Sequence, residues 1–107
     1  MTDETKQRVE TAIRSHKVVL FMKGVPDFPQ CGFSARAAEC LERLGVQFAA
    51  FDVLPDRELR EAIKEYSRWP TLPQLYIEGE LIGGSDIVTE LFQSGELKVK
   101  LEQAGAL

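Results

Sequence analysis

Cys31 is the residue whose surroundings point most directly to chemistry. An apolar run, Val18-Val19-Leu20-Phe21-Met22, precedes it, followed by a loop from Lys23 to Gln30 that contains two prolines. A helix-like stretch, Ala35 to Leu44, comes after it. A thiol in that place stands at a helix N-terminus, where free N–H groups and the positive end of the dipole favour the thiolate. The thiolate is the form that attacks disulfides and binds metals. Lys23 ends the preceding strand and can come back beside the thiol, and Gly32 leaves the backbone open to a ligand. In such surroundings a thiol with a free pKa of about 8.5 can fall below about 7.5. The plainer alternative is a half-buried loop cysteine without a role. Three residues on, where a redox motif would carry a second cysteine, the chain has Ser34. The site therefore reads as one thiol with no local resolving partner.

The other reactive residues are less suggestive. Cys40 shares i, i+3, i+4 and i+7 spacing with Ala37, Leu41 and Leu44, which makes it a core residue. Nine residues of helix separate it from Cys31, a rise of about 13 Å. A disulfide needs Cα atoms within about 7 Å, so an internal bridge would require the helix to unwind. His16, the only histidine, falls after the first helix, where a cation is favoured. One histidine and one accessible cysteine cannot complete a tetrahedral zinc site in one chain. Gly83-Gly84-Ser85-Asp86 reads as a turn with a helix cap, or else as a ligand loop offering N–H groups and a carboxylate. Arg60 and Lys64, one turn apart, read by default as a solvated face.

The elements that must position Cys31 follow from periodicity. Thr5 to Ser15 has amphipathic helical spacing, and Lys17 to Met22 suits a strand buried on both faces. A second helix covers about Ser34 to Leu44 and ends at Gly45. Val46 to Val53 reads as a second strand, and Pro55-Asp56 opens a helix from Arg57 to about Tyr66. Pro70 and Pro73 forbid helix and favour extended backbone, with a cis bond before Pro73 as one option. Gln74 to Ile77 and Glu80 to Ile82 form a hairpin around Glu78-Gly79. Ser85 or Asp86 then caps a helix to about Gln93, and Glu96 to Ala104 forms the last helix. A βαβ unit followed by a ββα unit gives an α/β fold: a four-stranded mixed sheet flanked by helices on both faces.

A chain of 107 residues fits a single domain, residues 1–107, and 44% hydrophobic content is globular in character. No apolar run approaches the roughly 18 to 20 residues of a membrane span, and the polar N-terminus lacks a signal-peptide pattern. Two cysteines make no disulfide framework. Free thiols imply a reducing compartment, which points to the cytoplasm. A net charge of −4 argues against nucleic acid as a partner.

Four motifs, in order along nearly the whole chain, carry a resemblance. They are Phe21-Met22-Lys23-Gly24, Pro29-Gln30-Cys31-Gly32-Phe33-Ser34, Trp69-Pro70-Thr71-Leu72-Pro73-Gln74 and Gly83-Gly84-Ser85-Asp86. Together they resemble the monothiol glutaredoxins of the CGFS type. The resemblance implies a thioredoxin fold and glutathione bound beside Cys31. It implies that Lys23 and Arg60, with help from Lys64, hold the glycine carboxylate. The backbone of Leu72, before a cis Pro73, would pair with the tripeptide, and Trp69 would support the groove from behind. Ser85 and Asp86 would hold the γ-glutamyl end. Many members carry cysteine where this chain has Ser85, so a disulfide from that position to Cys31 is not available here.

The family has two activities: exchange with glutathione mixed disulfides, and carriage of a [2Fe–2S] cluster in a homodimer. Such a cluster takes four thiolates. Two Cys31 residues and two glutathione molecules supply them, which fits exchange and delivery better than storage. The resemblance thus implies a cluster carrier with weaker oxidoreductase activity, and apo iron–sulfur proteins and BolA-like proteins as partners.

Overall fold

The computed structural model describes all 107 residues. The chain runs α1 (Asp3–Arg14), β1 (Val18–Met22), β2 (Gly24–Val25), β3 (Phe28–Pro29), α2 (Gly32–Arg43), β4 (Ala49–Asp52), α3 (Arg57–Ser67), β5 (Gln74–Ile77), β6 (Glu80–Gly83), α4 (Ser85–Ser94) and α5 (Glu96–Gln103). All five residues of β1 are buried. Side chains alternate along a strand, so an unbroken apolar run needs cover on both faces. β1 has that cover because it lies inside a four-stranded sheet of order β4-β1-β5-β6. It pairs parallel with β4, Leu20 opposite Ala50, and antiparallel with β5, Leu20 opposite Leu75. β5 and β6 form the expected antiparallel hairpin.

The alternation divides the core in two. Val18, Leu20 and Met22 pack with Ala37 and Leu41 of α2, Val88 of α4, and Leu97 and Leu101 of α5. Val19 and Phe21 face the other way, onto Val9 and Ile13 of α1 and Leu59, Ala62 and Ile63 of α3. Each large aliphatic side chain fully buried in this way contributes roughly 1.5–3 kcal/mol. Cys40 is buried in the first cluster, as its spacing required. The mixed sheet with helices on both faces is the thioredoxin fold. No helix is long and apolar enough to cross a membrane.

Several boundaries differ from the sequence reading. α2 starts at Gly32, two residues before Ser34, because Cys31 itself is the extended N-cap residue. β4 is confined to Ala49–Asp52, since Val46 to Phe48 form no ladder with β1. α1 begins at Asp3, where the Thr2 hydroxyl accepts from the Thr5 N–H. The segment Lys23 to Gln30 is not an open loop but a short hairpin, β2 with β3. Gly24 makes it close: its φ is +88°, and a Cβ there would lie 2.6 Å from the Phe28 carbonyl oxygen. The Gly24 N–H donates to Asp52 Oδ1 at 2.9 Å, tying the hairpin to β4. The cap of α4 is also different. Gly84 is the N-cap and no side chain caps the helix, so neither Ser85 nor Asp86 plays that part.

Candidate functional site

Cys31 stands where β1, the hairpin and α2 meet. The helix begins at the next residue, so the first amides of α2 point toward the sulfur. In the reduced protein the thiol makes no full cap hydrogen bond. The thiolate would be the better acceptor. Its pKa is lowered from the ordinary cysteine value, first by the Ser34 amide, then also by the Phe33 amide, the Lys23 charge and the Ser34 hydroxyl. Burial works in the opposite direction but does not win. Cys31 is only half-buried, so the favoured thiolate is reachable.

Ser34 is the functional residue that sequence reasoning missed. It is fully buried, and its Oγ accepts the Lys23 backbone N–H at 3.0 Å. One hydroxyl thus joins the residue after β1 to the first turn of α2, and it adds to the lowering of the Cys31 pKa. The signal was its position, third in a helix capped by Cys31, where side chains reach back to the cap. Cys40 behaves otherwise: burial between helices pushes its thiol up, away from reactivity. The two cysteines are free.

A groove of about 220 Å³ runs beside this helix start. Phe33 brings the Cys31 motif to one side of it. Trp69, Thr71, Leu72 and Pro73 form its floor and wall, and Gly84, Ser85, Asp86 and Ile87 close it. The Leu72–Pro73 peptide is cis. Residues Trp69 to Pro73 take part in none of the backbone hydrogen bonds outside helices and strands, so Leu72 keeps its N–H and C=O uncommitted. Ser85 Oγ and Trp69 Nε1 are buried and have no partner within the protein. Buried polar groups are ordinarily paired, so such orphans mark a place where something else binds. A Cβ on Gly84 would lie 3.2 Å from Trp69 Nε1 and 3.4 Å from the Pro73 carbonyl oxygen, so a side chain there would crowd the indole.

The fold therefore brings Leu72, Ser85 and Asp86 together in one groove, with Trp69. Lys23 is near enough to Cys31 for its charge to act on the sulfur. Arg60 and Lys64 are half-buried on α3 and do not line the groove. Lys64 lies 3.8 Å from Glu61. Phe33, Thr71 and Ile87 line the groove without having been singled out as ligand contacts. His16 is exposed after α1, beside Ser15 Oγ at 2.9 Å, and has no part in the site. A larger hollow of about 810 Å³, between His16, Asp27, Glu42 and Phe48 among others, contains none of the expected site residues. No three His, Cys, Asp or Glu side chains gather to hold a metal ion.

Comparison with known proteins agrees with this geometry. The glutaredoxin family model matches residues 18–82. A mitochondrial monothiol glutaredoxin-5 of Lachancea kluyveri is 56% identical, over all of this chain and 77% of its own. A ycf64-like monothiol glutaredoxin of Synechocystis is 52% identical over 97% of both chains. The solution structure of a monomeric truncated mutant of Trypanosoma brucei 1-C-Grx1 superposes with a TM-score of 0.86 at 44% identity, covering 95% of this chain and 93% of that one. With its lone active-type thiol at the head of α2 and relatives of this closeness, the chain belongs to the glutaredoxin family, among its monothiol members.

Proposed function

We propose that this protein binds glutathione in the groove beside Cys31 and, as a homodimer, carries a [2Fe–2S] cluster to recipient proteins. The observation that carries the reading is a lone, activated thiol bordering a groove with two orphaned buried polar atoms. A [2Fe–2S] cluster takes four thiolates. Each chain offers one accessible thiol, Cys31, while Cys40 is buried. Two chains and two glutathione molecules complete the set, around a twofold axis. The donor chemistry fits, provided glutathione supplies the missing sulfurs.

Glutathione would reach beyond the groove, whose lining includes none of the expected cations. Lys23 and Arg60, with Lys64, would meet its glycine carboxylate through charge-assisted hydrogen bonds. The uncommitted backbone of Leu72 would pair with the tripeptide as an added strand. Ser85 would receive a polar group of the γ-glutamyl end, and Asp86 its ammonium. Trp69 would back the groove. Apo iron–sulfur proteins and BolA-like proteins are the proposed partners, and the cytoplasm, where thiols stay reduced, the proposed setting.

Anaerobic reconstitution with iron, sulfide and reduced glutathione tests this. The expected product is coloured and dimeric, with about one cluster for two chains. Cys31→Ser should stay colourless, and Cys40→Ser should still take up the cluster. A colourless wild-type protein, or colour retained in Cys31→Ser, overturns the reading. The accessible, pKa-lowered thiol itself favours a second activity, exchange with glutathione mixed disulfides. Cys31 would attack the mixed disulfide, release the protein thiol and become glutathionylated. A second glutathione would then free it and leave as glutathione disulfide. Rapid turnover on a glutathionylated peptide by a protein that takes up no cluster would make this the main role.

A further inference from the structure

Gln74 is the first residue of β5 and is fully buried. A buried amide must satisfy two N–H donors and a carbonyl acceptor. Its Nε2 lies 3.0 Å from the Trp69 carbonyl oxygen, 3.2 Å from that of Thr71 and 3.0 Å from Ser67 Oγ. Its Oε1 accepts from the Tyr76 hydroxyl at 3.1 Å. Burial pushes that phenol up to about 12, so it stays protonated and donating. Carbonyl acceptors on one side and a hydroxyl donor on the other determine which end of the amide is nitrogen. Ser67 Oγ in turn accepts the Trp69 N–H at 3.0 Å.

These contacts matter because nothing else of the kind holds the segment. Trp69 to Pro73 makes no backbone–backbone hydrogen bond outside the helices and strands. Yet four of its residues line the groove. Its shape rests on side chains, and Gln74 is the one that reaches two of its carbonyls, those of Trp69 and Thr71.

We propose that Gln74 is a positioning residue of the groove. Its amide holds the Trp69 and Thr71 carbonyls, and this sets the Leu72 backbone at the spacing that a tripeptide pairs with. The inference rests on the glutathione reading, but it has a readout of its own. Trp69 is the only tryptophan in the chain, so its fluorescence reports this segment directly.

The test compares Gln74→Glu, Gln74→Met and Ser67→Ala with the parent protein, each well below its unfolding temperature. Gln74→Glu keeps the shape but turns an acceptor toward two carbonyl oxygens. Gln74→Met keeps the volume and removes every donor. Ser67→Ala, at a half-buried position, removes only the bridging hydroxyl and covers the case in which the Gln74 variants fail to fold. Calorimetry with reduced glutathione should show binding weakened about tenfold in the folded Gln74 variants and less in Ser67→Ala. Trp69 emission and its quenching by acrylamide should shift in the same order, with no ligand present. The pH profile of Cys31 alkylation should not move, since none of the Gln74 side-chain hydrogen bonds reaches the sulfur or α2. Folded variants with unchanged Trp69 emission and unchanged glutathione affinity overturn the proposal. A parent protein that fails to bind glutathione sinks the functional reading instead, while the Trp69 signal still decides the role of Gln74.

Discussion

At the scale of single residues, the site works by contrast between two thiols. Cys31 and Cys40 lie on or next to one helix, yet their pKa values move in opposite directions, because one meets amides and the other meets apolar side chains. A lowered thiol pKa leaves more thiolate at a given pH, and that fraction falls as pH drops through the folded-state value. Alkylation of Cys31 by iodoacetamide should therefore persist at pH values where an ordinary cysteine, of pKa about 8.5, is protonated. Ser34→Ala removes the hydroxyl donor and keeps the amide, which is the larger influence. Its alkylation midpoint should rise only part of the way to the ordinary value. The same variant leaves the Lys23 N–H without its partner, so urea unfolding should show a loss of about 1–3 kcal/mol. The activated cysteine was legible from its place between a strand and a helix. The buried serine was not, because its partner, the Lys23 N–H just after β1, is eleven residues away and nothing in the pattern of apolar residues records it.

At the scale of elements, two junctions set the geometry. The hairpin before Cys31 depends on Gly24, where an added Cβ would strike the Phe28 carbonyl oxygen at 2.6 Å and the Gln30 nitrogen at 2.7 Å. Both are backbone atoms, so a side chain cannot simply turn away. Gly24→Ala should lose more than about 1 kcal/mol in denaturant unfolding, and it should perturb the rate of Cys31 alkylation. Undiminished stability would show that the hairpin can rearrange. The second junction joins α1 to α3. Asp56 caps α3, accepting the Leu59 N–H at 3.0 Å, and pairs with Arg8. Its carboxyl is held below the usual range, first by the Arg8 hydrogen bond and then by the Leu59 amide.

A depressed carboxyl stabilises the fold above the unfolded value of about 3.9, and the effect is lost as pH falls through the folded-state value. Both partners are substantially exposed, Arg8 at 49% and Asp56 at 29%, so the charge pair itself is worth at most about 1 kcal/mol. Asp56→Asn, which retains an oxygen to cap the helix, should lose about that much near neutral pH. Its urea midpoint should converge with the parent's in acid, once pH has fallen below the folded-state value of that carboxyl. A gap that stays constant with pH would mean that packing, not charge, accounts for the difference. Helices with strong periodicity were readable from the chain. The hairpin was not, because its two short strands carry no alternating pattern and its closure depends on Gly24, on the Gln30 N–H to Lys23 carbonyl bond and on Asp52.

At the scale of the whole molecule, one sheet separates two cores, and the site lies at the end of the two central strands, β1 and β5, where elements from both converge. α5 contributes Leu97 and Leu101, fully buried against the α2 side of the sheet. Leu101→Ala should cost about 2–5 kcal/mol of stability. It should leave the Cys31 alkylation profile unchanged at temperatures where the protein stays folded, since no residue of α5 lines the groove. A shifted profile in the folded variant would couple the far core to the site.

What the residues alone determined was type and order. An unbroken apolar strand needs cover on both faces, alternation splits its cover in two, and a thiol at a helix start is activated by amides of its own chain. Those are local or periodic properties, and periodicity survives in a linear string. What only the tertiary structure decided was which distant groups meet. Ser34 reaches Lys23, Gln74 holds Trp69 and Thr71, and Gly84 lets the backbone pass close to Trp69 Nε1. Likewise, Gly84 rather than Ser85 caps α4, which leaves the Ser85 hydroxyl buried and unpaired at the groove. Such contacts depend on distances between segments far apart in the chain, and those distances exist only once both cores have packed.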